Sequence, residues 1–217
     1  MLYASRLKMQ ESQMKTIVML SQKGGSGKTT IAVHLATAAV GNQKKVLLLD
    51  TDPQKSAEVW HSCRTKEEPA LASISSSDIE EILGVAQKEG IDLTVIDTMP
   101  HTSASSSLAA LYADLLLIPC QPTPFDIAAV GHSVEIAKAR NKKAILIINR
   151  APLRAPEIEE TRKALEAYEV PIYPYEITDR RTYFRAVTQG LSVTEYDPKS
   201  AASKEMIKLW EWIKEIL

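Results

Sequence analysis

The stretch that most limits what this chain can fold into is Lys23-Gly24-Gly25-Ser26-Gly27-Lys28-Thr29-Thr30. An apolar run, Ile17 to Leu20, precedes it, and a helical pattern, Ile31 to Ala36, follows. Strand, glycine-rich turn and helix N-terminus in that order make a phosphate cradle. The glycines let backbone N–H groups converge on an anion without Cβ clashes. Gly24, Gly25, Ser26, Gly27 and Thr30 form this cradle. Lys28 would lie against the β- and γ-phosphates, and the Thr29 hydroxyl would complete a Mg²⁺ site. Alone, such a loop recurs by chance. Here Asp50-Thr51-Asp52-Pro53-Gln54 and Ile96-Asp97-Thr98-Met99-Pro100 follow it, each closing an apolar run. The three together predict a nucleotide hydrolase.

The rest of the chain alternates in the same way. Apolar runs too short for helices occur at 16–20, 45–50, 92–97, 114–118, 144–149 and 170–173. Runs apolar on both faces predict strands buried in a parallel sheet. Helix-like segments lie between them, at 28–40, 55–66, 78–89, 105–112, 124–140 and 156–168. The expected fold is α/β: a doubly wound, mostly parallel sheet with helices on both faces and ligands at the carboxyl ends of the strands. All three motifs sit at such ends. Residues 14–217 read as a single domain, and 1–13 as a polar leader of unknown role. Ser73 to Ser77 reads as a loop capping the 78–89 helix. Thr102 to Ser107 reads as a loop or a mobile switch segment.

Composition narrows the partners. A net charge of −1 predicts no strong global attraction to nucleic acid or to anionic membranes. The distribution is uneven: residues 138–185 carry eleven Lys/Arg against seven Asp/Glu, so a local basic face is available. Cys63 and Cys120 have no paired spacing and read as reduced, partly buried residues of a cytoplasmic protein. No apolar run approaches the ~20 residues of a membrane span. The histidines, at 34, 61, 101 and 132, form no metal pattern.

The acids divide the chemistry. Hydrolysis at a γ-phosphate needs positioning and charge neutralisation more than covalent steps. Asp97 closes a strand and suits a carboxylate that holds Mg²⁺ directly or through water. Asp50 and Asp52 alternate at a strand end and point to opposite sides, so only one can face the γ-phosphate. The other reading is that one of them caps a turn.

The form Lys-Gly-Gly-x-Gly-Lys-Thr-Thr at 23–30 lacks the usual first glycine, replaced by Gln22, and carries an extra lysine. It resembles the deviant Walker A motif of the ParA/MinD family of ATPases. The resemblance implies that Lys23 reaches across an ATP-sandwich homodimer to the second copy's phosphates, so that Lys23, Lys28 and Asp52 form the catalytic set. It further implies that Asp52, in Asp-x-Asp-Pro-Gln, orients the attacking water while Asp50 supports the Mg²⁺ shell, leaving Thr29, Asp50 and Asp97 as metal-site residues. Asn149 matches a position that contacts adenine, or else it forms a turn. Pro119 to Asp126 resembles the family's proline-rich segment after the fourth strand, which shapes the dimer face. Met99 departs from the family's Asp-x-Pro-Pro pattern. Residues 177–185 resemble the C-terminal region of short plasmid-partition ATPases.

From that resemblance follow nonspecific double-stranded DNA as a ligand and a ParB- or ParG-like partner that stimulates hydrolysis. Arg180, Arg181 and Arg185 are the candidate DNA-backbone contacts, with Lys199, Lys204 and Lys208 as possible additions. The bland reading of these residues is a solvated helix face with Glu partners. The alternative function is a MinD-like membrane-surface regulator, which needs a lipid-binding tail. The apolar stripe Met206, Leu209, Trp210, Ile213, Ile216 and Leu217 is accompanied by three Lys and three Glu, a balance that favours core packing over membrane attachment.

Overall fold

The computed structural model describes residues 13–100 and 104–217. Residues 1–12, His101 and the first part of the 102–107 serine segment lie outside them. Among the described residues, seven strands form one sheet: β1 (Lys15–Met19), β2 (Val46–Asp50), β3 (Ala70–Ser73), β4 (Leu93–Asp97), β5 (Leu115–Cys120), β6 (Ala144–Ala151) and β7 (Ile177–Thr178). Their order is β3-β2-β4-β1-β5-β6-β7, and each pairing between them is parallel.

The helices are α1 (Lys28–Gly41), α2 (Ser56–Ser62), α3 (Ile79–Lys88), α4 (Ala104–Leu111), α5 (Pro124–Ala139), α6 (Glu157–Glu166), α7 (Arg181–Thr188), α8 (Val193–Tyr196) and α9 (Ala201–Lys214). Because side chains alternate along a strand, each central strand feeds two cores. Ile17 and Met19 of β1 join α1, α2, α7, α8 and α9 on one face, while Val18 and Leu20 join α3 to α6 on the other. Strand order reverses beside β1: the chain moves outward to β2 and β3, returns to β4 between β2 and β1, then crosses β1 to β5. Sheets of this kind open a ligand crevice at that reversal, above the strand's carboxyl end. Here β1 leads into the glycine-rich loop.

Three sequence expectations change. The strand expected at 170–173 reduces to a bridge between Ile172 and Leu146, and the chain pairs with β6 again only at β7. Four elements lie outside the segments the sequence marks: β3, β7, α7 and the short helix α8. Cys63 is exposed rather than partly buried, whereas Cys120 is buried, and neither forms a disulfide. The C-terminal stripe is part of the core: Met206, Leu209, Trp210 and Ile213 are buried, and Ile216 and Leu217 pack against them. Among the described residues, no helix is long and apolar enough to cross a membrane.

Candidate nucleotide site

The loop after β1 turns at Gly25 (φ +80°) and Gly27 (φ +98°), a conformation that L side chains rarely adopt. Gly27 caps α1, whose N-terminal amides and positive dipole end face a cleft of about 530 Å³. Gly24, Gly25, Lys28, Thr29, Asp52, Asn149 and Arg180 are among its lining residues. Two distant side chains hold the loop in shape. Gln121, just past β5, donates to the Gly25 carbonyl at 2.6 Å, and Asn149 of β6 donates to the Ser26 carbonyl at 2.7 Å. Asn149 therefore braces the loop from below as well as lining the cleft.

Lys28 is buried at the start of α1, and among the described residues its ammonium makes no ion pair. Burial holds its pKa below the ordinary lysine value, opposed by the charges of Asp97 and Asp52. A buried cation without a paired anion suits an anionic ligand. Asp97, wholly buried at the end of β4, accepts the Thr29 hydroxyl on Oδ2 at 2.6 Å. Its Oδ1 is buried without a partner among the described residues. Burial first, and the charges of Asp50 and Asp52 after it, push the Asp97 carboxyl up to about 7, against the Thr29 hydrogen bond and Lys28. An orphaned carboxylate oxygen beside a threonine hydroxyl is a donor set that fits Mg²⁺, which prefers oxygen ligands.

Asp50 and Asp52 separate as their alternation requires. Asp50 is buried and accepts three backbone N–H groups: Asp52 at 3.1 Å, Ala57 at 2.9 Å and Glu58 at 3.1 Å. It ties down the turn and the first turn of α2, the capping role that sequence held as the second reading. Burial raises its pKa, with those three amides opposing the rise. Asp52 is partly exposed and lines the cleft, with one oxygen accepting the Gln54 N–H at 2.9 Å.

Lys23 is not among the residues lining this cleft. Its ammonium pairs with Asp126 in the first turn of α5, a carboxylate that also accepts the Thr123 hydroxyl at 2.5 Å. Phe125, 80% exposed, has its ring centroid 6.0 Å from the same ammonium. Asp126 lies within the proline-rich segment, where nothing in the local sequence marks its pairing with Lys23.

The three arginines do not form one patch. Arg180 turns inward to Glu205 and lines the cleft, which corrects its grouping with the other two. Arg181 and Arg185 are exposed on α7 on either side of Phe184, itself 75% exposed. Among the described residues neither has an acidic partner, so the Glu-paired helix face does not form. Lys199, Lys204 and Lys208 are also exposed, and Lys208 sits over the Tyr175 ring.

With this geometry in place, the known proteins it resembles are informative. A family model described as the CobQ/CobB/MinD/ParA nucleotide binding domain matches residues 17–193. A maintenance of carboxysome distribution protein A from Gloeobacter kilaueensis is 32% identical over 197 residues, covering 88% of this chain and 89% of its own. A ParA protein from Rhizobium radiobacter is 31% identical over 134 residues, covering 61% of this chain and 60% of its own. The cell division ATPase MinD of Pyrococcus furiosus superposes with a TM-score of 0.77 at 19% identity, covering 94% of this chain and 99% of that one.

Proposed function

The chain belongs to the CobQ/CobB/MinD/ParA nucleotide-binding family, whose ParA and MinD members are P-loop ATPases, and we propose that it works as a ParA-type positioning ATPase. ATP binding makes a sandwich homodimer that binds double-stranded DNA without sequence preference. A ParB- or ParG-like partner stimulates hydrolysis, which releases the dimer. The cargo is a plasmid, a chromosome or a protein assembly. A protein-assembly cargo has support from a relative named for carboxysome distribution, and the partition reading from one named ParA.

The loop amides and Lys28 hold the phosphates, and Asp52 orients the attacking water at the open end of the cleft. Thr29 and Asp97 hold Mg²⁺, with Asp50 stiffening the adjoining turn. When bound, the ion neutralises charge on the β- and γ-phosphates. Lys23 of one copy reaches the phosphates of the other.

The observation that carries this reading is the position of Lys23. A lysine inside a phosphate loop, held by Asp126 on α5 and absent from the lining of its own cleft, is available to a second copy. A membrane-surface role finds no support in α9, whose apolar stripe is buried within the chain.

Binding to random-sequence duplex DNA tests the reading, measured with ATP, ADP and no nucleotide across a salt series. The expected result is ATP-dependent binding that weakens with salt and is lost in Arg181→Ala/Arg185→Ala. No binding in any state at low salt, with ATPase activity intact, would overturn the DNA part.

A further inference from the structure

We infer that Glu205, in the second turn of α9, is the positioning residue that fixes the nucleoside half of the cleft; the inference rests on the ATP reading above. The phosphates belong at the N-terminus of α1. The nucleoside then lies along the remaining lining, which runs from Asn149 past Ile177 and Thr178 to Arg180, Tyr183 and Phe184. That wall is built from weak local parts. β7 is two residues long and meets β6 at a bulge. α7 has Arg180 at its N-cap position, with no side-chain cap there. A two-residue edge strand and an uncapped helix start do not hold a wall in register by themselves.

Glu205 supplies the missing restraint from another part of the chain. Its Oε2 accepts the Thr178 N–H at 3.3 Å and the Tyr183 hydroxyl at 3.0 Å. Its Oε1 accepts the Thr178 hydroxyl at 2.9 Å and the Arg180 Nε–H at 2.9 Å. The Arg180 Nη2 lies 2.9 Å from the same oxygen. The end of β7, the residue before α7 and the first turn of α7 thus converge on one carboxylate, only 16% exposed. Charge-assisted bonds of this kind are stronger than neutral ones. Glu205 is itself held in place, because Leu209, Trp210 and Ile213 anchor α9 in the core. Its neighbour Met206 reaches the cleft directly.

Nothing in this network touches Lys28, Thr29 or Asp97, so removing the carboxylate loosens the base-side wall and spares the phosphate end. ATP and inorganic tripolyphosphate separate the two halves, since tripolyphosphate has no nucleoside. Both are titrated with Mg²⁺ against the full chain and its Glu205→Ala and Glu205→Gln variants. In Glu205→Ala, ATP affinity falls about tenfold while tripolyphosphate affinity stays within about twofold. In steady-state hydrolysis KM rises and kcat holds within about twofold, the pattern of lost binding that does not distinguish ground state from transition state. Glu205→Gln recovers part of the loss, because its amide oxygen still accepts from Thr178 or Tyr183 but no longer offsets the Arg180 charge. That variant also carries the test should the alanine variant not fold. Equal weakening of ATP and tripolyphosphate, or unchanged ATP affinity in both variants, overturns the inference. A wild-type protein that binds tripolyphosphate but not ATP, or neither, refutes the ATP reading itself and this inference with it.

Discussion

Asn149 and Gly27 interlock: the Asn149 amide donates to the carbonyl of Ser26, and a Cβ at residue 27 would lie 2.1 Å from that same amide nitrogen. Gly27 also sits at φ +98°, so a side chain there is excluded twice, by conformation and by space. Gly27→Ala must displace Asn149 or distort the start of α1. The expected cost is on the order of 2 kcal/mol of stability, read by urea denaturation. ATP affinity should fall at least about tenfold in the same protein, because the loop amides no longer converge. A variant with wild-type stability and affinity would show that the loop has another way to close.

Asp50 and Asp52, two residues apart, should fail in different ways. Asp52→Ala leaves the fold unchanged, since the residue is partly exposed and gives up only the Gln54 N–H bond. Its hydrolysis rate falls at least about a hundredfold if it orients water, while ATP binding stays near wild type. Asp50→Ala strips three backbone N–H groups of their acceptor, two of them in the first turn of α2. It should cost about 1–3 kcal/mol of stability. Thermal denaturation alongside single-turnover hydrolysis separates the two outcomes. Equal destabilisation by both changes would contradict the division of labour.

What the sequence made legible follows the range of the forces involved. β1, β2, β4, β5 and β6 were readable because burial on both faces writes continuous apolar runs. β3 was not, because Ala70-Leu71-Ala72-Ser73 has no β-branched residue and is held by its register on β2, from Leu47↔Ala70 to Asp50↔Ser73. Residues 170–173 looked like a strand, but Pro171 has no N–H to donate, and the contact with β6 shrank to one bridge. The site divides in the same way. Lys28, Thr29 and Asp97 were visible because a phosphate loop and a strand-end acid are local patterns. The bond from Gln121 to Gly25, the pair of Lys23 with Asp126 and the convergence on Glu205 join residues 96, 103 and 22–27 positions apart. No local pattern records such meetings. Arg180 stood beside Arg181 in sequence and was grouped with it. The start of α7 turns one inward and the other outward.

Lys23 supplies a prediction about the assembly. In the single chain its ammonium is neutralised by Asp126, so removing it leaves the cleft intact. Lys23→Ala should bind ATP within about twofold of wild type but fail to form the ATP-dependent dimer, and DNA binding should fail with it. Analytical ultracentrifugation with and without ATP reads the first effect directly. Mutant dimers at the wild-type ATP concentration would sink the proposed role in the second copy's site.

The pH dependence of stability should trace to His34, fully buried on α1. Its Nδ1 accepts the Val193 N–H at 3.2 Å, so the ring is neutral with its proton on Nε2. The Tyr183 ring packs edge-on against it from α7, and the Glu195 carboxylate of α8, paired with Arg64, is the charge facing it. Burial outweighs the attraction of Glu195 and pulls the imidazole pKa down to about 3. As pH falls below the ordinary value near 6.5, the unfolded chain takes up a proton there and the folded chain does not. This stability is therefore present above pH 6.5 and is lost as pH falls towards 3, with about 2 kcal/mol gone by pH 4.5. Asp97 acts in the opposite sense, since its raised pKa favours the fold below the ordinary carboxylate range and that benefit disappears as pH rises through about 7. Glu195, held down to about 2, reinforces acid lability only below its ordinary value. Comparison with His34→Asn isolates the histidine, because an amide oxygen replaces Nδ1 as acceptor but does not titrate. The variant should be less stable at pH 7.5 by about 1 kcal/mol and should lose less stability than wild type between pH 6.5 and 4.5. Parallel stability curves from urea denaturation across that range would remove His34 as the source.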